Sequence, residues 1–495
     1  MKINILNKLR LSYKKIINNN SEYIFNTNKK KNNFSITFNK NILIDFSKNI
    51  INNNIINLLV KLFNKFNFLN LKNNNYLSYK EIFYLDTILI NKINFLYNKL
   101  IYNSFNIIEN IVNIGHLKYK YEFDFISNVL KEYKVNNYKF YYLSYLNSDI
   151  INIIKNFNLK KTIFIISYDT YEDYKLIEII NFIINRINLE IDNINNYINT
   201  NIIILTSLNL KNRIFNINTN NIIYINTNIN INTNSIYYIS MILLIYLGNL
   251  NFNNFIKGIK NINNNFLYEK KIYNNISVLL SLIDIWYLIF FKFRINLMFL
   301  DYYLNNFINY YINLHLFYKN ISFYKNIILG SSDIYIQNFL YKTLLNNKNL
   351  NCEFIFFCKN NNFLFEYNHN NFISESFYRS RSMFFINNNI NNIKNFLFNK
   401  KRKNYEFNNN INIIPNNFIL LNKLNPNNLG ILIYIYKYRI FLKNILISNI
   451  KNEKLNFNYL DNIIDILDIK LENQETNYDT STNELINFYK KNRYI

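Results

Sequence analysis

At 495 residues, half of them hydrophobic, the chain is long enough for two or three domains with a sizeable core, which excludes a small stapled module. Two cysteines, Cys352 and Cys358, and three histidines exclude a disulfide framework and a usual structural zinc site, and point to a reduced, cytoplasmic setting. The net charge of +25 is dispersed, with short lysine-rich clusters at 29–31 and 400–403, so it forms no groove-tracking stripe and no nucleic-acid partner is expected.

The opening "MKINILNKLRLSYKK" lacks an uninterrupted apolar core and a small-residue cleavage site, so no secretory signal is expected there. Five short apolar runs then read as buried strands, each with a polar stop: "ENIVNIG" (109–115), "KFYYLS" (139–144), "KTIFIIS" (161–167), "TNIIILTS" (200–207) and "NCEFIFFC" (351–358). Helical patterns such as "DFISNVLKEY" (124–133) and "SDIINIIKNF" (148–157) lie between them. The alternation predicts an α/β fold with parallel sheets, and ligands at the carboxyl ends of the strands. The longest apolar run, residues 236–248, is too short to span a bilayer. "VLLSLIDIWYLIFF" (278–291) carries Asp284 and reads as a buried helix, so no membrane partner is expected. Near the end, Ser481 and Glu484 form an S-x-x-E capping box before a last helix.

The composition itself carries a bias. There are 43 Tyr and 44 Phe against 5 Gly, 2 Pro and no Ala. The scarce residues have GC-rich codons and the abundant ones AT-rich codons, which points to mutational bias in an AT-rich genome. Lys and Asn are what such drift supplies, so their abundance says little about function.

Ordered text survives this drift. "FSITFNKNILIDFSKN" (34–49), "VNIGHLKYKYEFDFISNVLKEY" (112–133), "LIDIWYLIFF" (282–291), "LDYYLNNFINYY" (300–311), "KLNPNNLGILIYIYKYRIFLKNIL" (423–446) and "DTSTNELINFYKKNR" (479–493) occur in that order. Each resembles a segment of the glucose-6-phosphate isomerase family. The resemblance implies two sugar-isomerase domains, each a parallel sheet flanked by helices, with a helical C-terminal tail. The spans expected are 1–33 for an N-terminal extension, 34–99 and 256–450 for the large domain, 100–255 for the small domain and 451–495 for the tail. It also implies interconversion of glucose 6-phosphate and fructose 6-phosphate, a homodimer, a sugar phosphate ligand and no cofactor.

Such a reaction needs a phosphate cradle, a base between C1 and C2, a cation for the enediol and groups that open the ring. The family's G-I-G-G-S cradle aligns with Gly115-His116-Leu117-Lys118-Tyr119, where Gly115 alone is kept and Lys118 and Tyr119 are bulky. Its S-K-T-x-T-T loop aligns with residues 168–173. Thr170 is kept there, but Asp169, Glu172 and Asp173 oppose a phosphate. Like charges about 4 Å apart repel by about 4 kcal/mol at an effective dielectric near 20. The base position holds Ser331 in "LGSSDIYIQN", with Asp333 two residues on as a candidate substitute. The enediol-stabilising Arg aligns with Asn232, the ring-opening His with Asn361 or Asn362, and the C-terminal Lys with Asp461. His369, from a later His pair, is a second candidate substitute. Catalytic Glu, His, Lys and Arg are thus all replaced, and weak or absent isomerase activity is expected. The rivals are a site rebuilt around Asp333 or His369, a non-catalytic scaffold on the same fold, and a decaying gene product.

Overall fold

The computed structural model describes residues 2–18, 34–65, 87–104, 108–168, 174–207, 221–225, 235–269, 271–316, 327–344, 349–359, 366–385, 413–448 and 480–493. Its strands are β1 (Ser35–Phe38), β2 (Ile42–Asp45), β3 (Asn110–Gly115), β4 (Lys139–Leu143), β5 (Thr162–Tyr168), β6 (Ile202–Thr206), β7 (Ile222–Tyr224), β8 (Ile295–Leu300), β9 (Ile327–Ser331), β10 (Leu350–Lys359) and β11 (Asn416–Lys423). Its helices are α1 (Lys2–Asn18), α2 (Asn53–Lys65), α3 (Thr87–Ser104), α4 (Leu117–Val129), α5 (Ser148–Lys155), α6 (Tyr174–Glu190), α7 (Ile194–Asn201), α8 (Ser235–Tyr268), α9 (Ile276–Trp286), α10 (Phe307–Leu316), α11 (Ile334–Leu344), α12 (Glu366–Phe385), α13 (Pro426–Ser448) and α14 (Thr480–Arg493).

Two sheets form, in the order β4-β3-β5-β6-β7 and β1-β2-β11-β10-β8-β9. The first is parallel throughout. In the second, β11, β10, β8 and β9 run parallel, while the β1–β2 hairpin adds an antiparallel edge through β2 and β11. Each of the five predicted strand runs is a strand. The sequence signal missed β1, β2, β7, β8, β9 and β11, of which β1, β2, β7 and β9 are only three to five residues long. Both sheets sit in one compact unit, residues 1–450, and Lys451–Ile495 form a second, in which α14 is the described element. That helix begins at Thr480, so Ser481 stands inside its first turn and not at its cap.

Strands β3, β5 and β6 are buried at every residue, as expected of strands covered on both faces. Their alternation sorts side chains between two cores. Ile111, Ile163, Ile165 and Ile203 face the main core, whereas Val112, Ile114, Phe164 and Ile166 face a second core under α5 to α7. The large sheet divides likewise: Met298, Ile355 and Ile419 enter the main core, and Phe299, Phe354 and Phe418 a third. Helices α8, α9 and α13 run through the main core. Residues 429–442 of α13 are buried without a break, so no amphipathic period shows in its sequence. Helix α8 is long and apolar enough to cross a membrane by length and composition, but it kinks at Gly248 and 83% of its apolar window is buried inside the protein. Helix α1 buries Ile5, Leu9 and Ile16, and its Tyr13 ring meets Trp286 edge-on at 6.4 Å.

The surviving motif at 34–49 has a structural reason. It forms the β1–β2 hairpin and ends on Asn49, a buried amide. Asn49 donates to Phe46 O (2.9 Å), Asn416 O (3.1 Å) and Asn417 Oδ1 (2.9 Å). Ser380 Oγ on α12 donates to Asn416 Oδ1 at 2.8 Å and extends the network. A buried amide satisfied on this scale fixes the hairpin against β11, and a substitution would leave buried partners unmet.

Candidate functional site

In parallel sheets a crevice opens beyond the carboxyl ends of the strands. In the small sheet, β3 ends at Gly115 and α4 begins two residues later. His116 is the N-cap: its Nδ1 accepts the Lys118 N–H at 3.1 Å, and its backbone carbonyl accepts the Tyr119 N–H at 2.9 Å. Amides that a glycine-rich turn presents to an anion are here bonded to the protein itself. The Tyr119 ring is buried and stacks on Tyr238 at 4.6 Å, and Lys118 Nζ lies 4.7 Å from the Tyr119 ring centre. A Cβ on Gly115 would stand 2.4 Å from Tyr142 Oη. Ring packing thus accounts for the retained glycine and for the bulk at the next positions.

In the large sheet, β9 ends at Ser331 and α11 starts at Ile334. Ser331 Oγ accepts the Asp333 N–H at 2.9 Å. Asp333 Oδ1 in turn accepts from Tyr335 N (2.8 Å) and Ile336 N (3.0 Å). Asp333 is exposed and acts as the N-cap of α11. Gln337, buried one turn on, donates to Leu300 O (2.7 Å) and Ser331 O (2.9 Å), tying the ends of β8 and β9 together. Arg379 from α12 donates to Gln337 Oε1 at 2.8 Å and to Asn338 Oδ1 at 2.8 Å, and its guanidinium pairs with Glu375.

At the centre of the same sheet, Asp301 follows β8 and is buried. Its carboxylate accepts the Phe357 N–H at 3.1 Å and the Tyr303 N–H at 3.2 Å. Burial pushes its carboxyl up to about 6, against the pull of those two hydrogen bonds and of nearby His369. His369 is buried on α12, with Nε2 3.1 Å from Phe357 O.

The structure therefore places Gly115, Lys118 and Tyr119 at one strand end, and Ser331 with Asp333 at another. His369 and Asp301 both bond to the Phe357 backbone at a third. Asp169, Thr170, Glu172, Asp173, Asn232, Asn361, Asn362 and Asp461 lie outside the described residues. Asp301 and Arg379 were missed by sequence reasoning. Asp301 had a usable signal, since it is the polar stop after the apolar run "INLMFL". Arg379 had none, since it lies in none of the six segments that carry the resemblance. Among the described residues no group of His, Cys, Asp and Glu is arranged to hold a metal ion.

The family model described as phosphoglucose isomerase matches residues 98–486. A glucose-6-phosphate isomerase of Wigglesworthia glossinidia brevipalpis is 26% identical over 545 aligned positions, covering 98% of this chain and 97% of that protein. One from Buchnera aphidicola subsp. Acyrthosiphon pisum (strain 5A) is 25% identical over 406, covering 77% and 73%. The crystal structure of a glucose-6-phosphate isomerase from Chlamydia trachomatis superposes with a TM-score of 0.67 at 11% identity, covering 95% of each chain.

Proposed function

Because the chain belongs to the phosphoglucose isomerase family, we propose that it is a divergent member that keeps the isomerase fold while its turnover of glucose 6-phosphate and fructose 6-phosphate is weak or absent. The observation that carries this reading is the β9–α11 turn. The position aligned with the catalytic carboxylate is Ser331, and the nearest acid, Asp333, is turned to the α11 amides. A base must stand within hydrogen-bond reach of the proton it takes, and a misplaced one forfeits most of the orientational gain. The self-capped start of α4 supports the same reading, because a dianion would meet amides already bonded to His116. His369 and Asp301 are spent on the Phe357 backbone and are buried, which supports a structural role for both.

Sugar phosphate remains the ligand class the family implies, and a homodimer the partner arrangement. Tyr335 and Phe339 on α11 are 81% and 65% exposed, which favours a second role for the fold as an interaction protein. The deciding experiment is fructose 6-phosphate turnover by purified protein shown to be folded by circular dichroism, alongside calorimetric titration with the same compound. Absent turnover and absent binding are expected. Turnover at the rate of an intact isomerase would overturn the proposal.

A further inference from the structure

The last turns of α13 carry buried polar side chains that the described residues do not satisfy. Lys443 is 3% exposed, and its ammonium makes no hydrogen bond and no ion pair with any described residue. Asn444 beside it is buried too, and neither Oδ1 nor Nδ2 of its amide has a partner there. Helix α10 packs against this part of α13. Its Phe307 and Tyr311 rings meet Tyr436 at 5.0 and 5.1 Å, and His315, one turn after Tyr311, meets that ring edge-on at 4.8 Å. His315 is partly exposed, yet its Nε2 is buried and has no partner among the described residues. Lys443 is the charge that acts most strongly on this imidazole, which sets the two groups beside each other.

We propose that Lys443 Nζ and His315 Nε2 form a binding site for a small oxyanion, a phosphate or a carboxylate, between α10 and α13. A buried ammonium is costly unless its N–H groups find acceptors, and it has none of its own to offer. The carboxylates that attract Lys443 are Asp284 and Glu353. Both are bonded to Arg439, through Nε, Nη1 and Nη2 at 2.6–2.9 Å, and neither reaches Lys443. The acceptor atoms must therefore come from a bound molecule. Burial, Lys443 and Arg439 hold the His315 imidazole well below its ordinary range, so the ring is neutral at pH 7. In the tautomer protonated at Nε2 it adds a second donor to that of Lys443, and two such donors suit an oxyanion. Helical side chains lean toward the N-terminus, which keeps the site clear of the terminal carbonyls of both helices. The partly exposed edge of His315 gives the site its approach from solvent.

The test is a titration of the full chain with inorganic phosphate at pH 7, read by imidazole NMR with labelled histidine. The chain has three histidines at three separate places: His116 at the start of α4, His315 here and His369 on α12. His315→Gln removes one signal and so assigns it. The His315 signal should move saturably with phosphate while the other two stay, and sodium chloride at matched ionic strength should move none. Acetate in a parallel titration separates the two ligand classes, the probe with the lower half-saturation concentration naming the one preferred. Lys443→Met should raise that concentration about tenfold, as expected for the loss of a charge-assisted hydrogen bond. A His315 signal that neither probe moves, or an unchanged half-saturation in Lys443→Met, would overturn the proposal. Movement of His116 alone would also overturn it, by placing the anion at the end of β3, and would count separately against the lost cradle of the proposed function. Should Lys443→Met fail to fold, Lys443→Gln, which keeps a donor without the charge, takes its place with the same expectation.

Discussion

Lys437 Nζ donates to Glu122 Oε1 at 2.6 Å, and both side chains are buried. The pair joins α13, which follows the large sheet, to α4, which follows the first strand of the small one. Lys437 also donates to Ser235 Oγ at 2.8 Å, and Ser235 Oγ in turn hydrogen-bonds Glu122. Burial pulls Lys437 below the ordinary lysine range, and the Glu122 carboxylate opposes that pull.

Breaking this pair should cost far more than replacing it. Lys437→Met leaves Glu122 buried without its cation, and a loss of about 3–5 kcal/mol is expected in urea denaturation. The double variant Lys437→Met/Glu122→Leu should recover most of that loss, because neither charge is then buried. A single variant as stable as the wild type would mean that the pair carries no weight between the two layers.

Gly115 survives in a motif that has lost its other glycines, and packing gives the reason. A Cβ there would lie 2.4 Å from Tyr142 Oη and 3.1 Å from Ser167 Cβ. Gly115→Ala should therefore destabilise the protein by about 1–3 kcal/mol through overpacking. Tyr142→Phe in the same chain should return part of the loss, since it removes the nearest atom and leaves the Ser167 contact. Additive effects of the two substitutions in denaturation would contradict this account.

Strands β3, β5, β6 and β10 were legible because burial on both faces selects an apolar run that even biased composition preserves. Val112, Phe164 and Ile203 are such residues. The edge strands β1 and β7 were not legible: β1 is half exposed and β7 is three residues long, too short for a period to emerge from an Ile/Asn background. The family order of motifs showed through because many of its residues pack or bond internally, as Asn49 does in the 34–49 segment and Gly430 does in α13, where a Cβ would meet Phe255 O at 2.5 Å. At the candidate site the sequence offers a set of aligned replacements, Ser331 for Glu and Asn232 for Arg, which the resemblance implies. What the new letters do was not legible. Capping by His116 and Asp333 depends on local backbone direction, and the bonds from Asp301 and His369 to the Phe357 backbone join residues far apart in the chain.

Asp333→Ala separates a cap from a base. Loss of the two α11 bonds should cost about 1 kcal/mol, read as a lowered denaturation midpoint. Any residual isomerisation measured on fructose 6-phosphate should be unchanged. A fall of several orders of magnitude in turnover with little change in stability would identify Asp333 as a base and reverse the proposed function.

Arg439 offers a pH-dependent test of the core. It donates to Asp284 Oδ2 at 2.6 Å and to Glu353 Oε1 at 2.7 Å, with all three side chains buried. Burial raises the Glu353 carboxyl, and Arg439 pulls it back toward the ordinary range. Arg439→Met removes that pull and leaves two buried carboxylates facing each other, so both should bind protons more tightly in the native state than when unfolded. Groups raised in this way stabilise the fold where they are protonated and cease to do so as the pH rises through their native values. The substitution should therefore cost about 3–5 kcal/mol at pH 7 and clearly less at pH 5. Urea denaturation of both proteins at the two pH values reads this directly. A cost that is equal at pH 5 and pH 7 would show that the carboxylates rehydrate or find other cations once Arg439 is gone, with buried Lys443 on the same helix the first to examine.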